Sequence, residues 1–180
     1  MSIVKVVDRS RWLVGPWNDE IDHDEWVTDA GLQAMMRRNA AGAWCGYVAV
    51  PREHVLHGLD YSDEVAWLGP VLAERCNQPL GNQGGLGVLI NLVFGEVKPT
   101  LEMCVRVHGG ITFCGDIDGS RWFGFDCSHD VDTMPVYGNL GGSPNASYRD
   151  RAYVRLECEQ MARQLSDIAT RCPPSDEAVS

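Results

Sequence analysis

At 180 residues the chain has the size of one domain, with enough length to bury a core without disulfide or metal staples. Its formal charge of -10 at pH 7 argues against general nucleic-acid binding, which draws its affinity from neutralising phosphates. A local cationic pocket, or a basic protein partner met by charge complementarity, stays compatible with that charge. The longest apolar run, Val88 to Phe94, is interrupted by Asn91 and is too short to cross a bilayer. The start, M-S-I-V-K-V-V-D, has no secretory core and cleavage site, and the seven cysteines are irregularly spaced with no C-x-x-C. Together these read as reduced thiols in a cytoplasm.

In chain order, Ile3 to Val7 reads as a short strand. Trp12, Trp17 and Trp26 then punctuate an acidic stretch and read as anchors of an irregular arm. Asp22, His23, Asp24 and Glu25 offer metal-ligand types, but consecutive acids also make a solvated turn. Thr28 is placed to cap a short helix over Asp29 to Asn39, with Arg37 and Arg38 at its cation-favouring end and Gly42 as a stop. Residues 1–42 are thus expected to be an arm and short helix, 43–172 the core, and 173–180 an acidic tail. Ala43 to Val50 reads as a strand ended by Pro51. Val65, Leu68, Val71 and Leu72 recur at helical spacing within Glu64 to Asn77, where Pro70 would kink or split the helix. Residues 79–87 are Gly-rich but match neither the dinucleotide fingerprint nor a P-loop. They read as a loop, and Val88 to Phe94 as a strand or short helix.

Leu101 to His108 alternates apolar and polar residues, as a half-buried strand does. Ile111 to Cys114 and Arg121 to Asp126 read as two further strands, joined across Gly115 to Gly119 in an antiparallel meander. Ser147 to Arg171 is the strongest helical pattern. Ser147 and Asp150 resemble a capping box, and Val154, Cys158, Met161, Leu165 and Ile168 form an unbroken apolar stripe. The expected fold is a single α+β domain, an antiparallel sheet packed against a long C-terminal helix.

The stretch Val107 to Asp132 concentrates the chemistry. His108 ends a strand on its polar side and precedes Gly109 and Gly110, whose N–H groups could face a ligand. Asp126, His129 and Asp132 lie three residues apart. An Asp beside a His can hold the tautomer and raise the basicity of the ring. The same residues could serve a divalent cation, or simply form an Asx-type turn. Cys127 is a further nucleophile type, opposed by the acids beside it. His57, Asp60 and Tyr61 form a polar, aromatic, loop-borne set suited to ligand binding. His108, His129, Asp126 and Asp132 are therefore the candidate catalytic residues. His57, Asp60, Tyr61, Gly109 and Gly110 are the candidate ligand contacts.

The ordered strings W-C-G-Y-V-A-V-P, H-G-L-D-Y, V-H-G-G-I-T-F, W-F-G-F-D-C-S-H-D-V-D and Y-R-D-R-A-Y-V-R-L-E-C-E-Q-M-A-R-Q-L resemble a family of small bacteriophage and prophage proteins over roughly residues 43–170. The resemblance implies a phage accessory protein acting in the cytoplasm of a bacterial host. It carries no activity over residue by residue. Two functions are expected to compete. One is a His/Asp-lined pocket that binds, or hydrolyses, a small nucleotide-like molecule such as a host defence signal. The other is an acidic inhibitor that meets a host enzyme through its charge and exposed tryptophans, without catalysis. The sequence leaves the ligand, the metal and the oligomeric state open.

Overall fold

The computed structural model describes residues 7–77, 95, 98–139 and 143–171. The expected strand at Ile3 lies almost wholly outside these residues, as do the Gly-rich segment 79–87, the run 88–94 and the tail.

Five strands form one antiparallel sheet: β1 (His23–Val27), β2 (Gln33–Arg38), β3 (Trp44–Val50), β4 (Phe113–Ile117) and β5 (Ser120–Asp126), in the order β1-β2-β3-β5-β4. A 3-10 turn at Ala66–Leu68 leads into α1 (Gly69–Asn77), and α2 (Leu101–Cys104) is a single turn. Two-residue strands β6 (Thr133–Met134) and β7 (Gly138–Asn139) pair with each other. The long helix α3 (Arg151–Arg171) packs on the sheet. The protein is thus a single α+β domain, and the expected fold class holds. No helix among the described residues is long and apolar enough to cross a membrane.

Two expected elements are corrected. The segment expected as a helix over Asp29 to Asn39 is instead a turn and β2. Its buried residues are Ala34, Met36 and Arg38, a period of two rather than 3.6. The good helix formers Gln33, Ala34 and Met35 are overridden because β2 has hydrogen-bonded neighbours on both sides. Among the described residues 7–42 there is no helix, and β1 and β2 belong to the core sheet.

The second correction is Leu101 to His108. The segment begins with the α2 turn, entered through Thr100 in an extended conformation, and becomes extended again at Val105. Its main-chain groups are satisfied without a partner strand. The Glu102 N–H donates to the Tyr61 carbonyl, and the Arg75 guanidinium donates to the carbonyl of Met103. Among the described residues no strand edge is offered to the alternation, and it produces no ladder. The three-strand meander is accordingly a β4–β5 hairpin alone, turning at Asp118-Gly119. Pro70 sits in the first turn of α1, where its missing N–H costs nothing.

The C-terminal helix follows its sequence pattern. Val154, Cys158, Met161, Leu165 and Ile168 are all buried. Its start is tightened by Asp150, whose carboxylate accepts the Tyr153 N–H at 2.8 Å. The helix crosses β3 at Gly46, where an added Cβ would lie 2.7 Å from Cys158 Sγ and against the Phe125 ring. Glycine there is what lets helix and strand close. We expect Gly46→Val to destabilise the domain by about 1–3 kcal/mol through overpacking, measurable by urea denaturation. An unchanged midpoint would mean that helix and sheet have slack at the crossing.

The first twenty residues of the described chain are tied to this sheet by a buried cation. Arg38 has a fully buried side chain and pairs with Glu20. It also donates to the Tyr148 hydroxyl at 2.8 Å and to the Gly42 carbonyl at 2.6 Å. Its guanidinium stacks 4.2 Å from the Trp44 ring centroid. Asp22 receives Arg9, and Asp24 receives Arg151. The acids 22–25 are thus on or beside the edge strand β1 and are largely occupied as ion-pair partners. All six tryptophans are buried or half-buried, which removes the exposed tryptophans expected of a protein-binding inhibitor.

Candidate functional site

The loop after α2 carries His108 alongside α3. The His108 N–H donates to Glu157 Oε2 at 2.7 Å. The next two residues turn sharply: Gly109 and Gly110 have φ of 69° and 90°, and the Gly110 N–H closes the turn on the Val107 carbonyl at 3.0 Å. Beyond the end of β5, residues 127–132 fold back so that Asp132 becomes completely buried. Its backbone is held there by a bridge to Ser147: the Thr133 N–H donates to the Ser147 carbonyl, and the Ser147 N–H to the Val131 carbonyl.

Asp132 is the hub. Its Oδ2 faces His108 Nε2 at 2.8 Å and His129 Nδ1 at 3.2 Å, and accepts the His129 N–H at 3.0 Å. Its Oδ1 accepts Arg149 Nε at 2.9 Å. Burial pushes this carboxyl up, but the bonds from His108, Arg149 and the His129 main chain outweigh it, and its pKa lies below the ordinary carboxylate value. Asp132 is therefore an anion at neutral pH, and each ring nitrogen facing it is best supplied with a proton. On that assignment His108 donates from Nε2, and its Nδ1 accepts from the Tyr153 hydroxyl at 3.0 Å. His108 has both nitrogens engaged.

His129 differs. Its Nδ1–H is held by Asp132, while Nε2 has no partner among the described residues. Its side chain is 35% exposed, against 9% for His108. The ring lies directly over Gly109, where any Cβ would collide with it. Gly109 thus serves twice: its positive φ forms the turn, and its missing side chain makes room for His129. Arg149 leaves its two terminal nitrogens without a partner among the described residues, and stacks 5.0 Å from the Tyr153 centroid. The centre therefore presents an oriented imidazole nitrogen and a guanidinium on one anchored carboxylate.

The same three residues also qualify as metal ligands. One ring nitrogen of His108, one of His129 and an Asp132 oxygen all lie within 4.8 Å of one another. Both imidazoles could then be neutral, with His108 Nδ1–H donating to Tyr153 and His129 Nε2–H to water. Support of a ligating ring through its other nitrogen is the usual second layer of a metal site.

The other expected residues are placed apart from this centre. Asp126 accepts the Thr112 hydroxyl at 3.0 Å and the Ser128 N–H at 3.1 Å. It shapes the turn and does not orient His129; Asp132 does. Of the paired glycine amides, that of Gly110 is consumed by its turn, while that of Gly109 has no partner among the described residues. Asp60 contacts Ser62 and Cys114 and lies 3.9 Å from Arg121. Arg121 and Asp126 sit near opposite ends of β5, about 17 Å apart at the usual strand rise. Tyr61 packs on the core and His57 belongs to the same loop as Asp60. Among the described residues, none of His57, Asp60 and Tyr61 is a partner of His108, His129 or Asp132. Cys127 is buried, and burial first, then Asp132, pushes its thiol far up. It is no thiolate nucleophile.

Sequence reasoning missed Arg149, Tyr153 and Glu157. Tyr153 and Glu157 carry the signal of a four-residue spacing, which places polar groups on one face of α3 beside the apolar stripe; Arg149 lies two residues before the helix and carries no such signal. Comparison with protein-family models, with curated proteins and with solved structures finds no match to this chain.

Proposed function

We propose that the His108–His129–Asp132 centre binds and hydrolyses a small nucleotide-like molecule, and that the protein acts as a phage accessory factor against a host signal of that chemistry. One observation carries the reading: His129 is fixed through Nδ1 by a buried carboxylate, while Nε2 has no partner among the described residues and the side chain is 35% exposed. That is the arrangement of an oriented general base. A water attacks the phosphorus and gives a proton to His129 Nε2. The bond to the leaving oxygen breaks, and the imidazolium returns the proton to it. Arg149 supplies positive charge beside the reacting group, and its free fork suits phosphate oxygens. His108, with Tyr153, holds Asp132 and the turn in place. The phage assignment rests on the motif resemblance alone.

The test is incubation with a panel of cyclic and linear nucleotides, followed by phosphorus NMR. His129→Ala is expected to lower turnover by about 10²–10⁴-fold, the usual worth of a general base. His108→Ala should also lose activity, through disorder of Asp132. Turnover retained by both variants would refute the assignment of this site.

A second reading is favoured by the convergence of the three ligand atoms. A divalent cation bound there would make His129 a ligand rather than a base. Elemental analysis of protein purified without chelator separates the two. Stoichiometric metal lost on His129→Ala supports the metal centre, whereas metal-free protein that remains active supports the oriented base.

A further inference from the structure

A second cationic feature lies on the same helix, beyond the His centre. Between α1 and α3 the surface sinks into a cleft of about 370 Å³, within the size range of small-ligand sites. Val71, Cys104 and Ile168 contribute its apolar part, and Arg75, Arg106, Arg163 and Arg171 its cations. Among the described residues, two carboxylates, Glu74 and Asp167, line it. In a chain of net charge -10, four arginines around one cleft mark a local reversal of sign.

The partners of these arginines show where positive charge is left over. Arg171 engages both Glu74 and Asp167, so both carboxylates of the cleft are taken by one cation. Arg163 reaches Asp29 at 3.4 Å, and both side chains are more than half exposed, a weak pair. Arg75 is turned onto main-chain oxygens at the end of α2, those of Met103 and Val105. Arg106 has its guanidinium 3.4 Å from the Arg75 carbonyl and meets no carboxylate among the described residues. The Arg106 main chain is meanwhile clamped by Gln164, whose side chain bonds both its N–H and its carbonyl at 2.7 Å. Burial first, and Arg106 second, hold the Arg75 pKa below its ordinary value. Two guanidiniums thus share one wall without a counter-charge, and an anion placed between them converts mutual repulsion into attraction.

We propose that this cleft is a binding site for a small phosphate-bearing molecule with an apolar or planar portion. The phosphate would meet the Arg106 guanidinium, and the apolar portion Val71 and Ile168. Arginine forks match phosphate oxygens in geometry. The Gln160 side chain, which has no partner among the described residues, adds a polar contact on the same wall. The site is distinct from the His centre. Gln164 and Glu157, which hold Arg106 and His108 respectively, are separated on α3 by about 10 Å along the axis. The inference does not depend on hydrolysis at His129.

The experiment is calorimetric titration of the protein with ATP and with pyrophosphate at low ionic strength. Wild type, Arg106→Gln, Arg163→Gln and His129→Ala are compared. Arg106→Gln changes no main-chain bond to Gln164, and its thermal midpoint checks that the fold is kept. Arg163→Gln alters an exposed side chain and is expected to fold regardless. Binding of ATP weakened roughly tenfold or more by Arg106→Gln and weakened less by Arg163→Gln would support the site. Tighter binding of ATP than of pyrophosphate would support the apolar contacts. Absence of binding at millimolar concentration overturns the proposal, as does binding indifferent to both arginine variants. Binding abolished by His129→Ala but not by Arg106→Gln also overturns it, by placing the phosphate at the His centre instead.

Discussion

Replacing Asp132 with alanine is expected to destabilise the protein by about 3–5 kcal/mol, the usual cost of removing one partner from a buried ionic cluster. The side chain is fully buried and receives two rings, a guanidinium and a main-chain N–H. Its removal leaves Arg149 and His108 without their acceptor in a site too tight to rehydrate freely. Asp132→Asn should recover part of the loss, because the amide oxygen still accepts. The pH dependence has a definite sign. A carboxyl whose folded pKa is depressed stabilises the fold above the ordinary carboxylate value, and that contribution vanishes as pH falls through the depressed value. Urea denaturation of wild type and Asp132→Ala should therefore differ fully at neutral pH and converge in acid. A constant gap across that range would show that Asp132 contributes through packing rather than charge.

Arg38→Ala is expected to be of similar size, about 3–5 kcal/mol. The guanidinium is enclosed by Glu20, Tyr148, the Gly42 carbonyl and the Trp44 ring. Its loss leaves the Glu20 carboxylate facing Tyr148 and Trp44 without its guanidinium partner. Near-ultraviolet circular dichroism during thermal unfolding reads both stability and the packing of Trp44. The double variant Arg38→Ala with Glu20→Ala should cost less than the sum of the single variants. Strict additivity would mean that the two residues do not interact energetically. Tyr148 precedes Arg149 in sequence, so this cluster also fixes the segment that delivers Arg149 to Asp132.

Much of the fold was legible where one physical signal dominated. The stripe from Val154 to Ile168 needs only helical spacing, and the strands at Ala43 to Val50 and Arg121 to Asp126 are rich in β-formers. Two segments depart from their sequence patterns for opposite reasons. In Gln33–Arg38 good helix formers hid a period-two burial pattern that only pairing on both sides enforces. In Leu101 to His108 a perfect alternation has no strand to pair with among the described residues. The site divides likewise. His108, His129, Asp132 and Gly109 stood out because histidine, carboxylate and paired glycines were close in sequence. Tyr153 and Glu157 did not, because they reach the centre from a helix read only for its apolar face, and Arg149 did not, because it arrives from the segment just before that helix. Asp126 and Asp132 were equivalent on spacing, and only the backbone path of residues 127–132 separates them. The set His57, Asp60 and Tyr61 was joined to the centre by residue type, which carries no information about distance.

The bridge between Asp132 and Ser147 has a consequence for how the chain can vary. Residues 133–146 depart from and return to one pair of hydrogen-bonded residues. Material added or removed within that excursion changes the perimeter of a closed loop, at an entropic cost that grows only slowly with length. The spacing between Asp132 and Arg149 across the bridge stays fixed. This is where insertions can accumulate in descendants of the sequence while the charged centre keeps its shape.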